Sequence, residues 1–158
     1  MEGLKKSAVM VILRSGDHLL LLKRARPPHQ GFITPIGGKI DPFEDPNETA
    51  IRESREETGI ELSNLHYLGS LIEHAPANYN WHCLIYAADI PWQEAPPCDE
   101  GELQWIAIDS LGTFPLPPTD QWIYQYMIRQ QAFMFNAAFD VDLKMLWMRE
   151  EIEGIRLV

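Results

Sequence analysis

Three glutamates, Glu53, Glu56 and Glu57, stand in the run Arg52-Glu53-Ser54-Arg55-Glu56-Glu57-Thr58-Gly59-Ile60. In a helix, residues three and four apart share a face, so Glu53 lies beside both Glu56 and Glu57. Like charges at that spacing repel, each pair costing about 0.2–0.5 kcal/mol even when exposed. Two of the three also fall near the helix C-terminus, where the peptide dipole disfavours negative charge. A solvated acidic face, relieved by Arg52 and Arg55, is the ordinary use of such a stripe. Its surroundings suggest another. The segment from Gly37 to Ile60 carries seven Asp or Glu and opens on Gly37-Gly38. Without Cβ atoms, that pair can bring a backbone carbonyl close to a ligand. Carboxylate and carbonyl oxygens together suit a hard divalent cation, and Mg2+ keeps positions for water and phosphate oxygens. A cation there would turn a repulsive cluster into a site for an anionic substrate. It would polarise a phosphorus centre or acidify a bound water.

The helix that carries the stripe is well signalled. Asp45 is a candidate N-cap, Pro46 suits the first helical position and Glu48 completes a capping box. Gly59 suits the position just past the C-terminus. The helix is expected over 46–58, with Ala50, Ile51, Ser54 and Thr58 on other arcs and Ile51 as its core contact. Upstream, "SAVMVILRSGDHLLLLKRAR" reads as two strands joined at Ser15-Gly16-Asp17. "RPPHQGF" is a loop because two prolines remove donors and fix φ. A short strand over 32–36 should enter the glycine pair. Further strands are expected at 65–73, 82–89 and 102–108, with "PWQEAPP" and "PLPP" as loops. "TDQWIYQYMIRQQ" begins with a Thr/Asp cap signal and repeats Trp122, Ile123, Tyr126 and Met127 at helical spacing. A final hairpin should turn at Asp140-Val141-Asp142. This order argues for an α+β fold with a mixed sheet between helices.

The 158 residues suit one domain, 1–158, with one core. A net charge of -10 makes a nucleic-acid polymer an unsuitable partner for the surface as a whole. A small polyphosphate remains suitable, since a bound cation reverses the local sign. Two cysteines, Cys83 and Cys98, are too few for a disulfide scaffold and read as free thiols in a reducing cytosol. No apolar run approaches 18 residues, and the N-terminal stretch runs straight into the hairpin pattern rather than a leader. The expectation is a cytoplasmic protein with no membrane partner, monomeric or homodimeric.

The glycine and charged positions carry a family resemblance. Gly38, then Glu44, then Arg52 to Ile60 resembles the Nudix box, with matching spacing throughout. One departure is Ser54, where the family usually has an aliphatic residue or alanine; its effect should fall on packing. The resemblance implies an α/β/α sandwich with a mixed sheet. It also implies Mg2+- or Mn2+-dependent hydrolysis of a nucleoside diphosphate linked to another group. Carried over residue by residue, Glu53, Glu56 and Glu57 resemble metal ligands and Gly38 the glycine whose carbonyl joins them. Glu44 and Arg52 resemble the pair that orients loop and ligands, though both also read as helix-end ion pairs. Glu100 resembles a glutamate outside the box that serves as a further metal ligand or general base. A solvated acidic loop with Asp99 and Glu102 is the plainer use of it. The catalytic set is therefore Glu53, Glu56, Glu57, Arg52, Glu44 and Glu100. The substrate-binding set is Arg24, Thr34, Lys39 and Asp120.

The C-terminal third, with "EGELQWIAID", "PPTDQWIYQYMIRQQAF" and "FNAAFDVDLKMLWM", resembles the MutT/MutX-type branch of 8-oxo-dGTP diphosphatases. That branch implies release of the monophosphate and pyrophosphate. Arg24 would hold a phosphate. Asp120 matches an acid that reads the purine edge, and equally reads as the N-cap of the following helix. Thr34 stands where some relatives carry a base-contacting asparagine. Thr119 replaces a second acid and Pro117 a tryptophan of the mammalian-type enzyme. Pro76 lies about where an ADP-ribose pyrophosphatase places a proline, which keeps that activity as the alternative. Outside enzymes, the alternative is a non-hydrolysing nucleotide-binding module, which a degenerate box would mark and an intact box does not.

Overall fold

The computed structural model describes residues 3–76 and 78–158. Strand β1 (Lys6–Ser15) turns at Gly16-Asp17 into β2 (His18–Arg24), as the hairpin pattern requires. The expected strand over 32–36 is broken into β3 (Ile33–Thr34) and β4 (Ile36–Lys39). Pro35 stands at the break, and a proline has no N–H to give a ladder. The glycine pair thus lies inside β4, where Gly37 and Gly38 face Met10 and Val9 of β1.

Helix α1 spans Pro46–Thr58, as expected. Asp45 Oδ1 accepts from the N–H groups of Asn47 and Glu48, and Glu48 accepts from the Asp45 N–H, which closes the capping box. Gly59 ends the helix at φ 73°, a left-handed conformation that costs glycine little. The buried face differs from expectation. Thr49, Ala50, Ser54 and Thr58 are buried, whereas Ile51 only packs at the edge of the core. Small residues let α1 approach β4 and β1 closely. Ser54 belongs to this packed face, where its hydroxyl donates to the Ile60 carbonyl at 3.4 Å. The departure at that position therefore lies in packing, away from the glutamate stripe.

Strands β5 (His66–His74), β6 (Trp81–Asp89) and β8 (Gly101–Ala107) follow. A two-residue strand, β7 (Pro97–Cys98), begins at the last residue of the expected "PWQEAPP" loop and pairs with β8. A 3-10 turn at Ile108–Thr113 leads to helix α2 (Asp120–Ile128). The last hairpin joins β9 (Phe133–Phe139) to β10 (Met145–Glu150), and Asp140 Oδ1 ties its turn by accepting from the Asp142 and Lys144 N–H groups. A short β11 (Ile155–Arg156) adds to the edge.

All strands join one mixed sheet in the order β11-β10-β9-β5-β6-β1-β2-β8-β7, with β3 on β2 and β4 on β1. Its parallel pairs are β1 with β6 and β5 with β9. Side chains alternate across a strand, and both faces of this sheet are covered. From β2, Leu19 and Leu21 enter the cluster with α2, while Leu20 and Leu22 enter the cluster with α1. That explains an unbroken Leu run in a hairpin strand. Each fully buried Leu contributes about 1.5–3 kcal/mol of transfer free energy. The arrangement is an α/β/α sandwich of the α+β class. No helix among the described residues is long and apolar enough to cross a membrane. Cys83 and Cys98 are both free thiols.

Candidate active site

The stripe of α1 faces β4. A Cβ added at Gly38 would fall 2.2 Å from Glu53 Oε1, so the glutamate's carboxylate occupies the space that the glycine leaves. The Gly37 N–H donates to Glu57 Oε1 at 3.3 Å. Arg52 clamps the stripe from behind. Its Nε donates to Glu44 Oε1 at 2.7 Å and its Nη2 to Glu44 Oε2 at 2.9 Å. Its Nη1 reaches Glu53 Oε1 at 2.7 Å and Glu56 Oε2 at 3.3 Å, and Nη2 also reaches the Lys39 carbonyl at 3.3 Å. Such a planar fork suits several acceptors at fixed angles. The Arg52 guanidinium holds the Glu44 carboxyl down to about 2, and Glu44 in turn raises the Arg52 pKa. Thr49 adds a hydroxyl donor to Glu44 Oε2 at 2.8 Å.

Glu57 sits differently. Its Oε2 is buried without a partner. Burial pushes its pKa up to about 8, and the charges of Glu53 and Glu100 push the same way. This coupling brings Glu100, from the turn before β8, into the field of the stripe. The Glu100 carbonyl accepts the Ala25 N–H at 3.0 Å, which docks that turn on the end of β2 beside Arg24. Arg24 Nε donates to the Pro28 carbonyl at 2.8 Å.

A cavity of about 780 Å3 links these groups. Arg24, Thr34, Gly38, Lys39, Glu53, Glu56, Glu57, Glu100 and Asp120 all line it. Glu44 and Arg52 do not, and stand behind the lining as supports. Asp120 is not a helix cap. The N-cap position belongs to Thr119, whose side chain makes no capping bond, and Asp120 is buried with Oδ2 unpartnered. Burial, and then the nearby Glu73 charge, raise the Asp120 pKa well above the usual carboxylate range. Thr34 is buried and lines the wall, with its hydroxyl also unpartnered.

Sequence reading missed the far wall. Leu71 and Glu73 of β5, Tyr79, Trp81 and Cys83 of β6 complete the end of the cavity around Asp120. Trp122, in the first turn of α2, is absent from this lining and packs against the core. For Glu73 a signal existed. On an alternating strand it shares the face of Leu71, and both are buried.

Among the described residues, no three His, Cys, Asp or Glu side chains already converge as a ligand cage. The donor set fits a hard cation all the same. It is all oxygen, it includes the unpartnered Glu57 Oε2, and Gly38 leaves the Glu53 carboxylate close to its backbone.

The sequence pattern of the NUDIX domain matches residues 4–131. The chain belongs to the Nudix family. Over 153 residues it is 29% identical to the uncharacterized Nudix hydrolase YvcI of Bacillus subtilis, covering 92% of this chain and 94% of that one. It is 34% identical over 115 residues to the NAD-capped RNA hydrolase NudC of Chromobacterium violaceum, covering 70% of this chain but only 41% of NudC. Among solved structures, the MutT protein of Bacillus halodurans superposes with a TM-score of 0.82 at 24% identity, over 94% of this chain and 99% of that one. The last likeness is one of fold. The chain is a Nudix hydrolase with a MutT-like architecture.

Proposed function

We propose that this Nudix hydrolase, acting as a single domain, cleaves a purine nucleoside triphosphate, with 8-oxo-dGTP as the reference substrate, to the monophosphate and pyrophosphate. One observation carries the reading. A single cavity of about 780 Å3 runs from the glutamate stripe and Arg24 to a buried, raised-pKa Asp120. Its volume lies within the range of small-molecule sites, about 300–1,000 Å3. The two ends differ chemically as the two ends of a nucleotide do.

Glu53, Glu56, Glu57, Glu100 and the Gly38 carbonyl would hold Mg2+ or Mn2+. When bound, such a cation neutralises phosphate charge and lowers the pKa of water. Arg24 adds positive charge at the phosphate end, and Lys39 stands on the same wall. Arg52, with Glu44 behind it, fixes the rotamers of Glu53 and Glu56. Water attacks the β-phosphorus, and the bond from that phosphorus to the α–β bridging oxygen breaks. The nucleoside monophosphate leaves, and the water's oxygen remains in pyrophosphate. Glu100 or a glutamate of the stripe takes the proton. At the far end Asp120, kept neutral, donates to the base edge, and Thr34 also lines the cavity. Two free thiols fit work in the reducing cytoplasm.

A second reading follows from the resemblance to NudC, whose name assigns it NAD-capped RNA. Cleavage of a nucleoside diphosphate joined to another group, ADP-ribose included, needs the same carboxylate end and a different occupant of the far end. Product analysis decides. Purified protein with Mg2+ should release pyrophosphate and dGMP-type product from 8-oxo-dGTP and dGTP. AMP and ribose 5-phosphate from ADP-ribose, at far higher kcat/KM, would overturn the triphosphate reading.

A further inference from the structure

The deep end of the cavity holds two carboxyls from different elements. Glu73 is near the end of β5 and Asp120 is the first residue of α2; both are buried and both line the cavity. The Thr119 hydroxyl lies between them, 3.3 Å from Glu73 Oε1 and 3.5 Å from Asp120 Oδ1. Neither carboxyl forms an ion pair among the described residues. Two adjacent buried anions with no ion-pair partner, and only the ammonium of Lys5 nearby, are strongly disfavoured, so the pair retains a proton.

Hydrogen-bond direction says where that proton sits. Burial pushes the Glu73 carboxyl up to about 7, and the Tyr79 hydroxyl, which lies against it, opposes that rise. The same hydroxyl is 3.0 Å from His29 Nε2. A hydroxyl has one proton, so with Tyr79 donating to Glu73 the His29 Nε2 must donate to Tyr79. Donors therefore gather on Glu73. Asp120 has only the longer Thr119 contact on Oδ1 and nothing on Oδ2. The proton belongs on Asp120 Oδ2, and the negative charge on Glu73. The other groups facing the pair are the Cys83 thiol of β6 and the buried Tyr124 hydroxyl of α2, whose pKa values burial raises, and Lys5, whose Nζ donates to the Glu73 backbone carbonyl at 3.1 Å. Across the β5–β9 ladder Glu73 meets uncharged Ala137. Trp81 presents a flat ring at the same end, with Lys6 Nζ 5.5 Å from its centroid.

We propose that Glu73 and Asp120 form a one-proton dyad that reads a 6-oxopurine edge, Asp120 Oδ2–H donating to O6 and the Glu73 carboxylate accepting the N1–H and 2-amino protons. The inference deepens the nucleotide reading above and rests on it. An edge with one acceptor beside two N–H donors uses one acid proton and both oxygens of one carboxylate. A 6-aminopurine edge offers one donor and one acceptor, and leaves a charged oxygen of Glu73 unmatched. Glu73 thus becomes a specificity-determining residue supplied by β5, beside the start of α2.

Isothermal titration of the full chain with dGMP and dAMP in chelator reads this end of the cavity apart from hydrolysis. Wild type should prefer dGMP. Its dGMP affinity should fall as pH drops below about 7, where Glu73 takes up a proton and ceases to accept. Glu73→Gln should weaken dGMP about 10- to 100-fold, bring the dGMP:dAMP ratio toward one and flatten the pH profile. Asp120→Asn keeps an N–H donor and should hold dGMP within a few-fold, while Asp120→Ala should not. A wild-type dGMP affinity that is level from pH 5 to 8, or a purine ratio unmoved by Glu73→Gln, overturns the dyad. The first of these needs no variant. Protein that releases pyrophosphate from triphosphates and shows either result loses the dyad and keeps the reaction. Protein that shows the expected binding but releases no pyrophosphate loses the reaction and keeps the dyad.

Discussion

Gly38→Ala separates the work of the site from the stability of the fold. A Cβ there would lie 2.2 Å from Glu53 Oε1 and 2.3 Å from its Cδ. Ordinary contact begins near 3.4 Å, so the carboxylate must retreat by about 1.2 Å. The obstacle is the end of a flexible side chain, and the backbone need not move. Retreat breaks the 2.7 Å bond from Arg52 Nη1 and moves one proposed metal ligand. A misplacement near 1 Å costs on the order of 100-fold in rate, or about 2.7 kcal/mol of transition-state stabilisation. Stability should change by less than about 1 kcal/mol, since alanine also narrows the unfolded ensemble. Steady-state kinetics with Mg2+ and 8-oxo-dGTP, beside a melt followed by circular dichroism, reads both quantities. Gly37→Ala is the contrast. Its Cβ would meet the Val9 carbonyl oxygen at 2.1 Å at φ 152°, where both the neighbour and the conformation resist. That variant should lose stability by roughly 1–3 kcal/mol or fail to fold. Gly38→Ala with wild-type kcat and an unchanged melt would show that the observed position of Glu53 has no part in turnover.

Further outcomes follow from the same geometry. Glu56→Gln should lower kcat by orders of magnitude with the fold intact, and a wild-type rate would remove Glu56 from the metal ligands. Arg52→Lys replaces a fork that reaches three glutamates by a single ammonium and should lower kcat about 10- to 100-fold; a loss confined to KM would contradict its positioning of Glu53 and Glu56. In chelator, Glu57 holds its proton to about pH 8 when folded, against 4.5 for the ordinary side chain. The folded state thus binds more protons between those values, and stability should fall as pH rises through them. Glu57→Gln should flatten that fall and raise the metal-free melting temperature at pH 8; a large drop instead would give Glu57 a structural ion pair. Mg2+ should raise the wild-type melting temperature more at pH 8 than at pH 5, because a ligand must be deprotonated to bind.

The glutamate end of the cavity was legible in sequence because most of its parts are local. Asp45, Pro46, Glu48 and Gly59 fix where α1 starts and stops, and helical periodicity then places Glu53, Glu56 and Glu57 on one face. Gly38 comes to the same place by strand pairing one loop away. What sequence spacing did not carry was depth of burial. Ile51 looked like the core contact of α1, yet the close approach of helix and sheet gave that place to Thr49, Ala50 and Ser54. The far end of the cavity was hidden for a different reason. Glu73 and Thr119 meet across 46 residues of chain, and no local rule links β5 to the start of α2. Helix-cap chemistry even pointed Asp120 the wrong way, since an Asp after Thr and Pro is an ordinary cap. Only the sheet order, which sets β5 between β6 and β9 and packs α2 over that face, brings the second carboxyl to it. The proposed metal ligands Glu53, Glu56 and Glu57 thus come from one contiguous segment, whereas Arg24, Glu100 and the proposed base readers Glu73 and Asp120 join that cavity only once the whole sheet has assembled. Substitutions in β5 that leave the box untouched should accordingly alter which nucleotide is bound before they alter how its phosphates are cut.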